Sequence, residues 1–92
     1  MSRTVFFISD GTAITVETLG HSLLTQFAQI QFTQVRIPFV TDEAAALDAV
    51  RQINQAYERD NARPLIFNTI VDDKLSGIVR GSRGVMLDLF AT

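Results

Sequence analysis

Residues Val5-Phe6-Phe7-Ile8 form an unbroken apolar run, too short for a helix and rich in residues that favour strands. Ser9-Asp10-Gly11-Thr12 follows at once, built of residues that suit turns and helix starts. Beyond it Leu19, Leu23 and Phe27 recur at helical spacing, which predicts an apolar helix face. Strand, tight turn and helix make the opening unit of a parallel α/β sheet. The turn falls at the carboxyl end of the strand, where such sheets bind ligands. Backbone N–H groups in a first helical turn lack internal partners, so a phosphate or carboxylate is their natural guest.

The rest of the chain repeats the pattern. The reading gives a strand from Thr4 to Ile8, then a helix from about Thr12 to Ala28 that Ser9, Asp10 or Thr12 caps. Gly20 inside that helix costs about 1 kcal/mol relative to Ala, and its missing side chain suggests a close approach to the sheet. A second strand spans Gln31 to Val40, with Pro38 marking a sheet edge or a strand end. Thr41-Asp42-Glu43 caps a helix running to about Asp60, with Ala46, Leu47, Val50, Ile53 and Tyr57 as its apolar stripe. A third strand runs from Leu65 to Ile70, a short helix from Val71-Asp72-Asp73 to near Gly81, and a fourth strand from Val85 to Phe90. Alternating strands and helices imply right-handed crossovers and a four-stranded parallel sheet, Rossmann-like or flavodoxin-like in three layers. The expected strand order is 2-1-3-4, with the Ser9–Thr12 turn at the switch point. Such a sheet needs cover on both faces. The chain ends two residues after the fourth strand, which suggests a piece of a longer protein or a domain that pairs with another copy.

Composition narrows the function classes. With 92 residues there is room for one small domain. The formal net charge of −2 gives no reason to expect a nucleic-acid or polybasic membrane surface. The chain has no cysteine and one histidine, which removes thiol chemistry and any zinc spacing. That is compatible with a reducing cytosol, and a cytoplasmic location is expected. No apolar run approaches the ~20 residues of a membrane span. Met1-Ser2-Arg3 leads straight into the first strand, leaving no room for a signal peptide.

Ser9-Asp10-Gly11-Thr12 is the best site candidate: either an anion cradle of amides and hydroxyls, or a capped turn with no ligand. Asp10 there is a base, a metal-bound carboxylate or a cap. Thr15, Glu17 and His21 follow on the same helix; His21 is a general acid/base, a phosphate contact or a packing residue. Gly77, Gly81 and Gly84 with Lys74, Arg80 and Arg83 fit neither a P-loop nor a dinucleotide fingerprint. Asp72 and Asp73 read as caps rather than a metal pair. No metal site is expected.

The segment Ile8-Ser9-Asp10-Gly11-Thr12-Ala13-Ile14-Thr15-Val16-Glu17-Thr18-Leu19-Gly20-His21-Ser22-Leu23-Leu24-Thr25-Gln26-Phe27 resembles the start of one family. It is the phosphoenolpyruvate synthase regulatory proteins, bifunctional serine/threonine kinases and pyrophosphorylases whose plant relatives regulate pyruvate, phosphate dikinase. The likeness continues through Arg36-Ile37-Pro38-Phe39-Val40, Phe67-Asn68-Thr69 and Leu87-Asp88-Leu89-Phe90. Ala13 stands where the resemblance leads one to expect a second glycine. The resemblance implies a transferase that phosphorylates a threonine of phosphoenolpyruvate synthase with ADP as donor. It also implies removal of that phosphate with inorganic phosphate, releasing pyrophosphate. The family's nucleotide-binding P-loop lies in a second, C-terminal half, and none of its residues occurs here. This chain is therefore expected to be an N-terminal α/β domain, inactive alone and without a cofactor of its own. Its expected partners are the synthase, its own C-terminal domain and a second copy in a homodimer. Ser9, Asp10, Gly11, Thr12, Thr15, Glu17 and His21 are the candidate phosphate or substrate contacts.

Two alternatives stay open. The domain is a non-catalytic docking and dimerisation module, with the turn merely structural. Or it is a flavodoxin-like domain holding phosphate or FMN, although a fifth strand and flavin-stacking aromatics are missing. A receiver domain fits poorly, since one acidic residue ends the first strand and no later lysine site is available.

Overall fold

The structure, a computed structural model, describes residues 2–26 and 31–88. In chain order it contains β1 (Ser2–Ile8), α1 (Ile14–Leu24), β2 (Gln31–Ile37), α2 (Glu43–Asp60), β3 (Leu65–Asn68), α3 (Asp73–Arg80) and β4 (Val85–Asp88). The strands make one parallel sheet in the order β2-β1-β3-β4, as the alternation predicts. β1 is interior: Val5 pairs with Gln34 on one side and with Leu65 on the other. α1 ends at Leu24 with Thr25 as its C-cap, short of the expected end near Ala28, while Phe27, Ala28 and the expected end of the fourth strand at Phe90 lie outside the described residues.

The continuous apolar run of β1 is explained by two covered faces. Val5 and Phe7 join Ala13, Val16, Leu24 and Phe67 in the layer under α1. Phe6 and Ile8 point the other way, into a larger cluster with Ile53, Ile66, Ile70, Leu75 and Val79 under α2 and α3. Phe7 and Phe67 stack across adjacent strands, with ring centroids 5.7 Å apart.

The face of α1 differs from the expected one. Leu19 and Leu23 are 46% and 49% exposed, whereas Val16, Gly20 and Leu24 are buried. Gly20 explains the rotation. A Cβ built there would fall 2.3 Å from Phe7 Cε1 and 3.1 Å from Phe67 Cδ2, so the helix meets the sheet along its glycine. In α2, likewise, Leu47 is 58% exposed and the buried face is Ala46, Ala49, Ile53 and Ala56. Small side chains let the helix lie close to the sheet, and the larger neighbours turn outward.

Element ends also shift. β2 stops at Ile37 because Pro38 has no N–H and Phe39 takes a left-handed φ of 58°. β3 stops at Asn68, although the Thr69 N–H still reaches Ile8 O at 3.0 Å. The caps of α2 and α3 are as read: Asp42 accepts from Ala45 N–H at 2.8 Å, and Asp72 accepts from Lys74 and Leu75 N–H. Near the amino end of β1, buried Thr4 donates its hydroxyl to Asp60 Oδ2 at 2.7 Å and accepts from Arg59 at 2.9 Å. The Thr4 hydroxyl, helped by Arg59, holds the Asp60 carboxyl below its usual pKa against the opposing effect of burial.

Candidate active cleft at the carboxyl edge of the sheet

The chain leaves β1 through Ser9-Asp10-Gly11-Thr12-Ala13 and enters α1 at Ile14. None of the expected side chains caps the helix in the usual way. Its N-cap is Ala13, in the left-handed conformation at φ 69°, with no capping side chain. The Thr12 hydroxyl comes nearest, 3.4 Å from Ile14 N. For a residue with a Cβ that backbone costs about 1–2 kcal/mol. It is the conformation a glycine adopts freely, so the loop follows a glycine-like path although alanine occupies the position.

This loop is tied on both flanks. Towards the β2–α2 connection, Ser9 N–H donates to Ile37 O, Val40 N–H to Ser9 O, and Phe39 N–H to Gly11 O at 2.8 Å. Towards the β3–α3 connection, Val71 N–H donates to Asp10 Oδ2 at 3.1 Å. Ser9 closes the turn internally, accepting from Gly11 N–H at 3.0 Å. Two of the amides expected to face a ligand, those of Gly11 and Ile14, are therefore engaged by hydroxyls of the same loop. Each hydroxyl accepts through its oxygen and keeps its own O–H proton to donate to an incoming oxyanion.

The loop lines an open cleft of about 260 Å³ with Ser9, Asp10, Gly11, Thr12, Ala13, Thr15 and Thr69 on its walls. Five of the predicted site residues, Ser9, Asp10, Gly11, Thr12 and Thr15, thus share one cavity. Glu17 and His21 do not. They line a separate depression of about 480 Å³ with Thr18, Ser22 and Gln34, where Glu17 pairs with Arg36 at 3.0 Å. Thr69 is the contributor that sequence reasoning missed. Its signal was the strand order: with β3 beside β1, the residue after β3 must flank the turn after β1. The cleft offers four hydroxyls and one carboxylate, whose Oδ1 has no partner among the described residues. Such a wall can orient a phosphoryl group or a substrate hydroxyl through hydrogen bonds. Among the described residues no His, Asp and Glu group together as a metal site, and no helix is long and apolar enough to cross a membrane.

Sheet order and cleft position define the class: a parallel, three-layer α/β domain with an open polar cleft at the carboxyl ends of its interior strands. The chain belongs to the kinase/pyrophosphorylase family, whose model matches residues 5–92. It is 56% identical over 91 residues to a protein of Herminiimonas arsenicoxydans named "Putative phosphoenolpyruvate synthase regulatory protein", covering 99% of this chain and 32% of that one. Proteins of the same name from Marinobacter nauticus and Pseudomonas aeruginosa are 50% and 52% identical over 92 residues, in each case all of this chain and 34% of the relative. The chain thus spans about a third of the length of these curated relatives.

Proposed function

We propose that this chain is the N-terminal domain of a regulator of phosphoenolpyruvate synthase that both phosphorylates and dephosphorylates a threonine of that enzyme. In the forward direction the β-phosphoryl group of ADP passes to the threonine hydroxyl, leaving AMP. In the reverse direction inorganic phosphate attacks the phosphothreonine, and pyrophosphate leaves. The P-loop that holds the nucleotide belongs to a C-terminal domain beyond these residues, so this domain needs that partner for turnover. Its own contribution is one wall of the reaction cleft, in which Ser9, Thr12, Thr15 and Thr69 orient phosphate oxygens and Asp10 orients the threonine hydroxyl. Family membership and the names of the relatives support the regulatory role. The observation that carries the site assignment is the convergence of Asp10 and these hydroxyls at the carboxyl edge of interior strands. Asp10→Ala and Thr12→Ala in the full-length protein test it: both activities fall together, whereas unchanged rates remove the assignment.

A second reading, docking, is favoured by the rim. Ile14, Phe39 and Val71 are 59%, 61% and 70% exposed. The Phe39 N–H donates to Gly11 O and the Val71 N–H to the Asp10 carboxylate, which ties both residues to the loop. On this reading Phe39→Ser weakens binding to the synthase while Asp10→Ala leaves it intact.

A further inference from the structure

The opposite, amino-terminal edge of the sheet carries a different chemistry. Arg63 precedes β3, Arg83 precedes β4, and Arg3 lies near the start of β1. Each is positioned by neutral partners. Arg3 Nε donates to Arg63 O at 2.7 Å, while Arg63 Nε donates to Arg83 O at 3.3 Å and its terminal nitrogen to Gly84 O at 2.9 Å. The Arg83 guanidinium sits 5.3 Å above the centre of the Tyr57 ring, and its backbone N–H is held by Asn54 Oδ1 at 2.9 Å. Tyr57, Arg63 and Arg83 line an open cavity of about 310 Å³.

Carbonyls and an aromatic face orient a guanidinium without cancelling its charge. Elsewhere on the molecule the basic side chains meet carboxylates: Arg36 with Glu17, Arg51 with Asp48, and Lys74 with Glu43 at 2.5 Å. Among the described residues no carboxylate lies within ion-pair distance of Arg3, Arg63 or Arg83. Helix dipoles account for Arg59 and Arg80, which sit in the last turns of α2 and α3. They do not account for arginines on a strand and on two loops. An acidic chain of net charge −2 therefore places two pre-oriented guanidinium groups, without a carboxylate partner among the described residues, around one aromatic-walled cavity.

We propose that this cavity is an anion site for a small phosphorylated molecule, separate from the cleft beside Asp10. The Arg83 guanidinium, which stacks on Tyr57, offers phosphoryl oxygens the planar donor pair that suits phosphate, and Arg63, held through Nε and one terminal nitrogen, adds its remaining terminal nitrogen. The Tyr57 ring bounds the site on its apolar side. It lies at the other end of the strands from the cleft, about 20 Å away along the extended chain from Arg63 to Thr69. A ligand held here does not enter the proposed reaction.

Amide and arginine Nε–H NMR signals of the labelled 92-residue chain decide it. Pyrophosphate and ADP are titrated separately, with sulfate at matched ionic strength as control. The expected result is selective movement of the Tyr57, Arg63, Arg83 and Gly84 signals, with Arg83→Gln weakening it about tenfold and Thr12→Ala leaving it unchanged. Arg83→Gln spares the backbone bond to Asn54, and its amide spectrum verifies the fold; Tyr57→Ala gives a second, neutral probe of the same wall. Movement with pyrophosphate but not ADP, or with both, supports a phosphate site and separates the bare anion from the nucleotide. Equal movement with sulfate, movement confined to Gly11–Ala13, or no movement at all overturns it.

Discussion

Val71 N–H donates to Asp10 Oδ2 at 3.1 Å, joining the loop after β1 to the loop after β3 across 61 residues of sequence. One carboxylate thereby anchors the cleft wall through Oδ2, while its Oδ1 has no partner among the described residues. Asp10→Asn retains an acceptor for Val71 but removes the charge; Asp10→Ala removes both. In the full-length protein Asp10→Ala is expected to lower kcat/KM of both reactions about a hundredfold, the order of loss that small misplacements cause. Stability should fall by about 1 kcal/mol. Asp10→Asn, with stability near wild type, separates charge from anchoring; steady-state kinetics and urea denaturation provide the two readouts.

Gly20 marks the closest approach of α1 to the sheet. Gly20→Ala gains about 1 kcal/mol of helix propensity but presses a methyl group into the stacked Phe7 and Phe67 rings. Overpacking of this kind costs about 1–3 kcal/mol, so the net change is expected to be destabilising. Thermal unfolding checks it, and an unchanged or raised Tm contradicts the close approach.

Asp60 makes stability depend on acid. Its carboxyl pKa is lowered in the folded chain, first by the Thr4 hydroxyl and then by Arg59. The folded state therefore binds the proton less readily than the unfolded one. The stabilisation is present above the unfolded carboxyl pKa, near 3.8, and is lost as pH falls through the folded value. Asp60→Ala should be less stable at neutral pH by about 1–3 kcal/mol, since buried Thr4 loses its acceptor. Its stability should also fall less steeply below about pH 4 than that of the wild type, measured by urea unfolding across pH.

Glu17 and His21 lie outside the cleft. Replacing either with Ala should change kcat/KM by no more than about twofold, as for surface substitutions in general. The Glu17–Arg36 pair is partly exposed on both sides and should couple by less than about 1 kcal/mol in a double-mutant cycle.

The alternation of strands and helices was legible because hydrophobic period and turn chemistry are local. Val5–Ile8, the Asp42 and Asp72 caps and Pro38 each announce their element from a few neighbouring residues. The buried face of α1 was not legible. Leu19 and Leu23 carry the stronger hydrophobic signal, but Gly20 takes the sheet-facing position because only a missing side chain fits over Phe7.

Sequence alone determined the order of elements, the parallel sheet, the family likeness and the polar loop that opens the cleft. Tertiary structure decided which helical faces are buried, that Thr69 joins Asp10 while Glu17 and His21 lie elsewhere, and that Arg63 and Arg83 meet beside Tyr57. Local periodicity reports what a segment buries by itself. Which distant residues come together depends on strand order and helix rotation, and both are set by how closely the layers can pack.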